Sequence, residues 1–370
     1  MRLKLVLSAL LVTLFTTSQA QFVSSIHFNI EKSCEATEVK SQGRTGTCWS
    51  FSATSFLESE MIRQGKPAID LSEIFTVRNI YLEKAVNYVR RHGTVNFSQG
   101  SLAHDVYRSY AQYGAMPESA YSGKKGDIHN HSDLETELKS FLDTLLTTKP
   151  IRATWQTEFK EILDKHLGEV PESFIYEGEK YTPLTFAKGV VGLKMDDYIG
   201  ITSFAHQPFY EEVVVDVPDN FSNGEYYNLP LGEMMKLVNH ALHNGYSIEW
   251  DGDVSEKGFM TRKGLALLLG PDTQFDSLPA IPEEQTVNQE TRQAAFDAQE
   301  TTDDHLMHIT GIAKGPDGKH YYVVKNSWGS KVSFQGYMMM SEAYFAMKTV
   351  CIYIHKDGIP ENTKANLLIR

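Results

Sequence analysis

Cys48 lies in the run Gln42-Gly43-Arg44-Thr45-Gly46-Thr47-Cys48-Trp49-Ser50-Phe51-Ser52, where a glycine-bearing loop passes into a segment of helical periodicity. Trp49, Ala53, Phe56, Leu57 and Met61 recur on one helix face, and the pattern stops at Gly65 with Pro67 just beyond. Cys48 is therefore predicted in the first turn of a helix, where unpaired backbone N–H groups and the positive end of the dipole favour an anion. The expected result is a thiol pKa below its free value of about 8.5, giving a nucleophilic thiolate near neutral pH. Gln42 comes from the same loop, so its amide is placed to join the backbone N–H of Cys48 in binding an oxyanion. Gly43 and Gly46 let that loop pass close to a substrate. A lone Cys-Trp at a helix start is more often a buried structural cysteine, so the assignment rests on partners supplied by the distal part of the chain.

Far downstream stand Asp304-His305-Leu306-Met307-His308-Ile309-Thr310-Gly311 and Tyr321-Tyr322-Val323-Val324-Lys325-Asn326-Ser327-Trp328-Gly329. These two β-type runs flank the turn signal Gly315-Pro316-Asp317-Gly318 and are predicted to pair as an antiparallel hairpin. Counting outward from the turn brings His305 and Asn326 to the same open end. An imidazole able to take the thiol proton then lies beside a neutral amide that fixes its orientation without adding a competing negative charge.

The Gln-x5-Cys-Trp loop, the Asp-His strand and the Asn-Ser-Trp-Gly strand, in this order, resemble the papain superfamily of cysteine peptidases. The resemblance implies an α+β fold, with a helical left half carrying the cysteine helix and a β-barrel-like right half. It makes Cys48 the nucleophile, His305 the general base and acid, Asn326 the orienting residue and Gln42 the oxyanion donor. Trp49 supports the nucleophile, and Trp328 shields the contact between Asn326 and His305. Two departures point to a branch. Thr45 stands where many secreted members have a disulfide-forming cysteine, and the gap from Cys48 to His305 exceeds the usual interval by about a hundred residues.

The intervening text is similar to bleomycin hydrolase and bacterial aminopeptidase C. It includes Leu71-Ser72-Glu73, Ser98-Gln99-Gly100-Ser101 before a helix ending at Tyr113-Gly114, Tyr181-Thr182-Pro183, Asn228-Leu229-Pro230 and Ile248-Glu249-Trp250-Asp251-Gly252-Asp253. That likeness implies one peptidase domain over residues 21–370 with an insertion at about 123–290, peptide substrates, no cofactor and assembly into a homo-oligomer, a hexamer in the branch. It also implies aminopeptidase action, gated in the branch by a C-terminal carboxylate that enters the cleft. Here the chain runs from Lys356 to Arg370, shorter than the well-known tails, so the tail either reaches the cleft by another path or leaves room for endopeptidase action. The alternative to an enzyme is a catalytically idle binding or scaffold protein, against which stands the retention of Gln42, Cys48, His305 and Asn326.

His308 comes after His305 by an odd number of positions, so the two point to opposite faces of a strand. The superfamily pattern selects His305 and leaves His308 packed behind the strand. His-x-x-His without the helical His-Glu-x-x-His spacing does not make a zinc site, and Asp251 and Asp253 in a turn read as solvated or capping groups, so no metal is expected.

With 41% hydrophobic and 22% charged residues, the chain has the composition of an ordinary folded protein. Its net charge of −12, without a dense basic run, excludes nucleic acid as the main partner. Arg2 and Lys4 precede an apolar run from Leu5 to Phe15, and Ser18-Gln19-Ala20 offers small residues for cleavage. Residues 1–20 are read as a signal peptide, too short to span a membrane, and the protein as exported to a periplasmic or extracellular space without a membrane anchor. Fewer than thirty residues then precede Cys48, too few for an inhibitory pro-segment. In such a compartment Cys34 and Cys351 either pair or stay buried and free. Between the motifs, Leu134 to Leu146 and Trp155 to Leu167 read as helices, Tyr210 to Val217 as β-type, and Gln285 to Asp304, with Arg292 and Phe296, as a polar surface connection.

Overall fold

The computed structural model describes residues 26–273 and 281–369, so the leader-like segment 1–20 lies outside the described residues. Helix α1 (Cys48–Arg63) has fourteen of its sixteen residues buried and therefore lacks the one-sided stripe of a surface helix. On one side it meets helices. These are α2 (Glu73–Arg90), opened by a Ser72 side chain that accepts from the Phe75 N–H, and α3 (Ala103–Tyr113). Next come α4 (Ser132–Leu146) and α5 (Trp155–Leu167), whose buried stripes Leu134-Leu138-Leu142-Leu145 and Trp155-Phe159-Leu163-Leu167 recur every three or four residues and pack on each other. A hairpin of β2 (Phe174–Tyr176) and β3 (Glu179–Tyr181) and the short α6 (Pro183–Phe186) complete this half, with the Phe186 ring held edge-on by Phe174, Tyr176 and Tyr181.

On its other side α1 meets a single mixed sheet. Its order is β5 (Glu212–Val214), β6 (Glu225–Asn228), β4 (Tyr198–Thr202), β13 (Thr349–His355), β7 (Ile248–Gly252), β10 (His305–Lys314), β11 (His320–Lys325), β12 (Tyr337–Ser341), β9 (Leu265–Ala266) and β8 (Phe259–Met260). Strand β1 (Asn29–Ser33) pairs with the outer half of β10. Only β4 with β6 and β12 with β9 run parallel among the described pairs. The face away from α1 is covered by α7 (Leu231–His243), α9 (Glu342–Lys348) and α10 (Glu361–Leu367), which share a core with Ile248, Trp250, Met307, Ile309 and Ile352. The two halves thus match the helical and β-rich halves expected from the sequence. The long middle segment is woven into the sheet, because β7 comes from it and lies between β13 and β10.

Two local readings change, and one open choice is decided. The β-type run at Tyr210 shrinks to the three residues of β5. Cys34 and Cys351 do not pair, both thiols being free. The polar stretch after Gln285 is more than a surface connection, because it folds into α8 (Gln289–Asp297) and turns Arg292 into the core. The Arg292 guanidinium donates to the carbonyls of Ser203 at 2.8 Å and Ala346 at 2.9 Å and to that of Thr349, tying α8 to β13 and to the end of α9. Desolvation lowers its pKa to about 9, yet it remains the donor that these carbonyls need. Composition hid this, since a buried arginine reads like any surface charge. Arg292→Ala strips three buried acceptors of their donor, and we expect denaturant unfolding to show a loss of about 3 kcal/mol. A loss below about 0.5 kcal/mol would remove the anchoring role.

Candidate active site

The loop before α1 is pinned from both sides. Gln42 N–H donates to the Ser327 carbonyl at 2.8 Å and Arg44 N–H to the His129 carbonyl at 2.8 Å. Gly43 has φ +65°, and a Cβ there would lie 2.3 Å from His129 O, so only glycine fits. From the far wall, Gln99 accepts the Gly46 N–H at 2.7 Å through its side chain and the Trp49 indole N–H at 2.9 Å through its carbonyl. Trp49, fully buried, thereby locks the first turn of α1 and the sulfur beside it. The Gln42 side chain is held at both ends. Its Nε2 donates to the Thr45 carbonyl at 2.7 Å, and its Oε1 accepts from Ser327 Oγ at 2.6 Å. An amide nitrogen carries a second N–H, able to donate to a further acceptor.

His305 opens β10 and Asn326 comes directly after β11, as counting from the turn predicted. His305 Nε2 lies 2.8 Å from Asn326 Oδ1. The same oxygen accepts the backbone N–H of Ser327 at 2.7 Å, which identifies it as the amide carbonyl. Nε2 therefore carries the proton and Nδ1 is the free base. Trp328, itself exposed, lies against the ring with centroids 4.7 Å apart.

One extra residue sets the register. Between the pairs Gly311 with Val323 and Ile309 with Val324, Thr310 forms a β-bulge. Because of it, Ile312, Ile309 and Met307 all reach the same core despite their odd spacing. The Cys34 N–H donates to the bulged Thr310 carbonyl at 2.6 Å, and Gly311 passes so close to β1 that a Cβ would meet Lys32 O at 2.2 Å.

The Cys48 sulfur accepts from the backbone N–H groups of Leu306 and Trp49, so the thiol and the imidazole meet at the first two residues of β10. Among the described residues no hydrogen bond joins the two directly. The expected low thiol pKa does not hold. Burial pushes the Cys48 thiol up to about 12, with Asp303 and Asp251 acting in the same direction against the two N–H groups. Burial likewise lowers the His305 imidazole to about 4, opposed by Asn326. Burial thus outweighs the helix terminus at Cys48. The sulfur faces a cleft of about 440 Å³ whose walls include Gln99, Gly100, Asp219, Asp303, Asp304 and Leu306.

His308 also differs from expectation. It points away from the His305 face, as strand alternation requires, but toward α1, where its Nδ1 lies 2.9 Å from Ser55 Oγ. That hydroxyl accepts from Lys325 Nζ at 2.8 Å, so His308 belongs to a buried polar seam under α1 and not to the reactive end. Among the described residues no group of His, Cys, Asp or Glu side chains is arranged to hold a metal ion. The chain's final described residues pack on the α7 side through Leu367 and Ile369, and none of residues 356–369 lines the cleft. Motif spacing did not single out Ser327, Gln99 or Asp303. Each adjoins or lies within a motif already noted, and adjacency to Asn326, Gly100 and Asp304 is the signal that would have found them.

The peptidase C1-like family matches residues 113–368, and the papain family of cysteine proteases matches residues 25–152. The chain is 24% identical to an aminopeptidase C of Streptococcus thermophilus, over 92% of this chain and 85% of the relative. It is 23% identical to the mitochondrial cysteine proteinase 1 of Saccharomyces cerevisiae (strain YJM789), over 90% of this chain and 78% of that one. Among solved structures, PepW from Lactobacillus rhamnosis is similar in fold, with TM-score 0.70 at 22% identity over 92% of this chain and 84% of that one.

His305 precedes Leu306, whose N–H favours the Cys48 thiolate, and His305→Ala is expected to slow iodoacetamide alkylation of Cys48 at neutral pH by about a hundredfold. Peptide mass mapping distinguishes that adduct from any at Cys34 or Cys351. Equal rates in the two proteins would show that the thiol does not depend on His305.

Proposed function

The chain belongs to the peptidase C1-like family of cysteine peptidases, and we propose that it cleaves peptides through Cys48, His305, Asn326 and Gln42, acting chiefly as an aminopeptidase. The observation that carries this reading is the 2.8 Å contact from His305 Nε2 to Asn326 Oδ1, which leaves Nδ1 as a base at the strand end where the Cys48 sulfur rests. As Sγ bonds to the scissile carbonyl carbon, the thiol proton passes to Nδ1. The carbonyl oxygen takes negative charge and is met by the Cys48 backbone N–H and the free N–H of Gln42. The C–N bond then breaks, and Nδ1 returns the proton to the leaving amine. Water next gives a proton to Nδ1 and attacks the thioester, and the departing sulfur regains its proton. A catalytically idle scaffold has no observation in its favour.

Aminopeptidase action is supported by the relatives named aminopeptidase C, and the comparison of blocked and free peptides decides whether endopeptidase action accompanies it. Turnover of free-amine peptides at least about tenfold above their N-acetylated counterparts is expected, while equal turnover rules out a requirement for the amine. Ser327→Ala frees the Gln42 amide and is expected to lower kcat by about tenfold or more, with Gln42→Ala lower still. If both leave kcat unchanged, Gln42 is not the oxyanion donor.

The acid limb is set by His305. A base with pKa lowered to about 4 stays unprotonated down to that pH, so kcat/KM is expected to hold through pH 5 and fall as pH drops through about 4. A limb near the free-imidazole value of about 6.5 would contradict the buried, neutral ring. We further infer export after residue 20 and homo-oligomeric assembly, from the leader pattern and the family resemblance. N-terminal sequencing and light scattering of the exported protein check both, an intact Met1 or a monomer mass refuting the respective part.

A further inference from the structure

The cavity in front of Cys48 has a direction along the substrate. Return of a proton from His305 to the leaving amine puts the amine portion beside His305 and Trp328, and neither of these lines the cavity. Its walls include Gln99, Gly100 and Ser101 from the helical half and Asp303 and Leu306 around the start of β10. The acyl part, N-terminal to the scissile bond, therefore runs into it. Two further lining residues, Pro218 and Asp219, come from a third place.

Residues 215–224 connect β5 to β6, the two strands at one edge of the sheet, yet the connection is fastened to the helical half. Ser222 Oγ donates to Asp105 Oδ1 at 2.8 Å and accepts from His104 Nε2 at 2.7 Å, both on α3. The Phe221 carbonyl accepts from Asn87 Nδ2 of α2 at 3.5 Å, and the Lys84 ammonium lies over the Phe221 ring. Asn220, itself buried, closes the loop on its own base. Its Nδ2 donates to the Val215 and Gly224 carbonyls, both at 3.0 Å, and its Oδ1 accepts the Gly224 N–H at 2.7 Å. The connection is thus a strap between the two halves.

The tip of the strap sits on the wall that the acyl part follows. The Asp219 carboxyl packs directly on Gly100, where a Cβ would run into it, and its Oδ1 accepts from Ser98 Oγ at 3.3 Å and Asn96 Nδ2 at 3.4 Å. An extended chain advances about 3.3 Å per residue, so an acyl part of more than a few residues meets this tip. To pass, it must lift the carboxyl off Gly100 against the bonds that hold the strap.

We propose that the Pro218–Asp219 tip is a stop for the acyl part, so that the cleft takes only short acyl portions and releases short units from peptide N-termini. This rests on the peptidase reading of the same site. The described tail residues, 356–369, do not line the cavity, and the strap supplies an exclusion that does not need them. Discrimination by clash requires neither an amine nor a charge on the substrate, so N-blocked ligands meet the same limit.

The test uses N-acetylated peptidyl acyloxymethyl ketones, thiol-alkylating reagents, with one, two, three or four alanines ahead of the ketone. Each is reacted with the purified chain, and the Cys48 adduct is quantified by peptide mass mapping. The rate constant is expected to fall by at least about tenfold at one step of the series. That fall is expected to shrink by at least about fivefold in Asp219→Gly, which clears Gly100, and in Ser222→Ala, which frees the strap from Asp105. Rates that stay level or rise from one alanine to four, or a fall of unchanged size in both variants, overturn the proposal. Should Asp219→Gly not fold, Ser222→Ala gives the decision.

Labelling needs no hydrolysis, which separates the two readings. A fall along the series in a protein that cleaves no peptide refutes the peptidase reading and leaves the stop in place. Level rates in an active peptidase refute the stop alone.

Discussion

The pairing of β10 with β7 on one edge and with β11 and β1 on the other decides where every reactive atom stands. The first residue of that strand carries the imidazole, and the second offers its backbone N–H to the sulfur. The Thr310 bulge fixes which faces they present. A slip of one residue would turn Met307 and Ile309 out of the core and carry the imidazole away from Asn326. Strong burial of Ile309, Ile312 and Met307 therefore defends the chemistry indirectly. The hydrophobic core selects the register, and the register selects the site.

Burying a thiol and an imidazole together has its own price. In water the pair would hold charge readily; in this site both are pushed toward their neutral forms. The surroundings counter this with fixed dipoles, namely the N–H groups on sulfur, the Asn326 carbonyl on Nε2 and the clamped Gln42 amide. Such groups do little for the neutral resting state. They are already oriented when charge appears on sulfur, imidazole and oxyanion, so little reorganisation remains to be done. The polar seam under α1, where Ser55, His308 and Lys325 join, obeys the same logic in a place with no reaction. There, Ser55 Oγ joins the His308 ring to the Lys325 ammonium, and the seam holds helix to sheet.

Much of this was legible in the sequence because its signals are local. Helix periodicity after Cys48, the Gly-Pro-Asp-Gly turn and the stripes of α4 and α5 each depend on neighbours in the chain, and they gave those elements nearly to the residue. Cys48, His305, Asn326 and Gln42 came from such elements together with the family likeness. The remainder depends on the third dimension. Burial of the thiol, which outweighs the expected effect of the helix terminus, is reinforced by the charges of Asp303 and Asp251 far along the chain and opposed by the Leu306 N–H. The turn of His308 toward α1 depends on which face of β10 that helix covers, and alternation alone says only that it differs from His305. Arg292 looked like surface charge because nothing near it in sequence reveals the carbonyls of Ser203, Ala346 and Thr349.

Strand β1 contains no reactive group, and all five of its residues are exposed. Yet it lies along β10 from Lys314 to Gly311, and the next residue, Cys34, is bonded to the bulge itself. The stretch just ahead of the oxyanion loop is thus a splint on the base-bearing strand. This sets a limit on maturation. The splint is itself anchored from in front. Ile26 is buried in a cluster with Leu265, Leu267 and Ala313, and the Phe28 ring meets Tyr321 edge-on at 4.9 Å. Trimming past Ile26 unpacks that cluster before it reaches the strand. The packing that steadies the His305-bearing strand therefore reaches forward to Ile26.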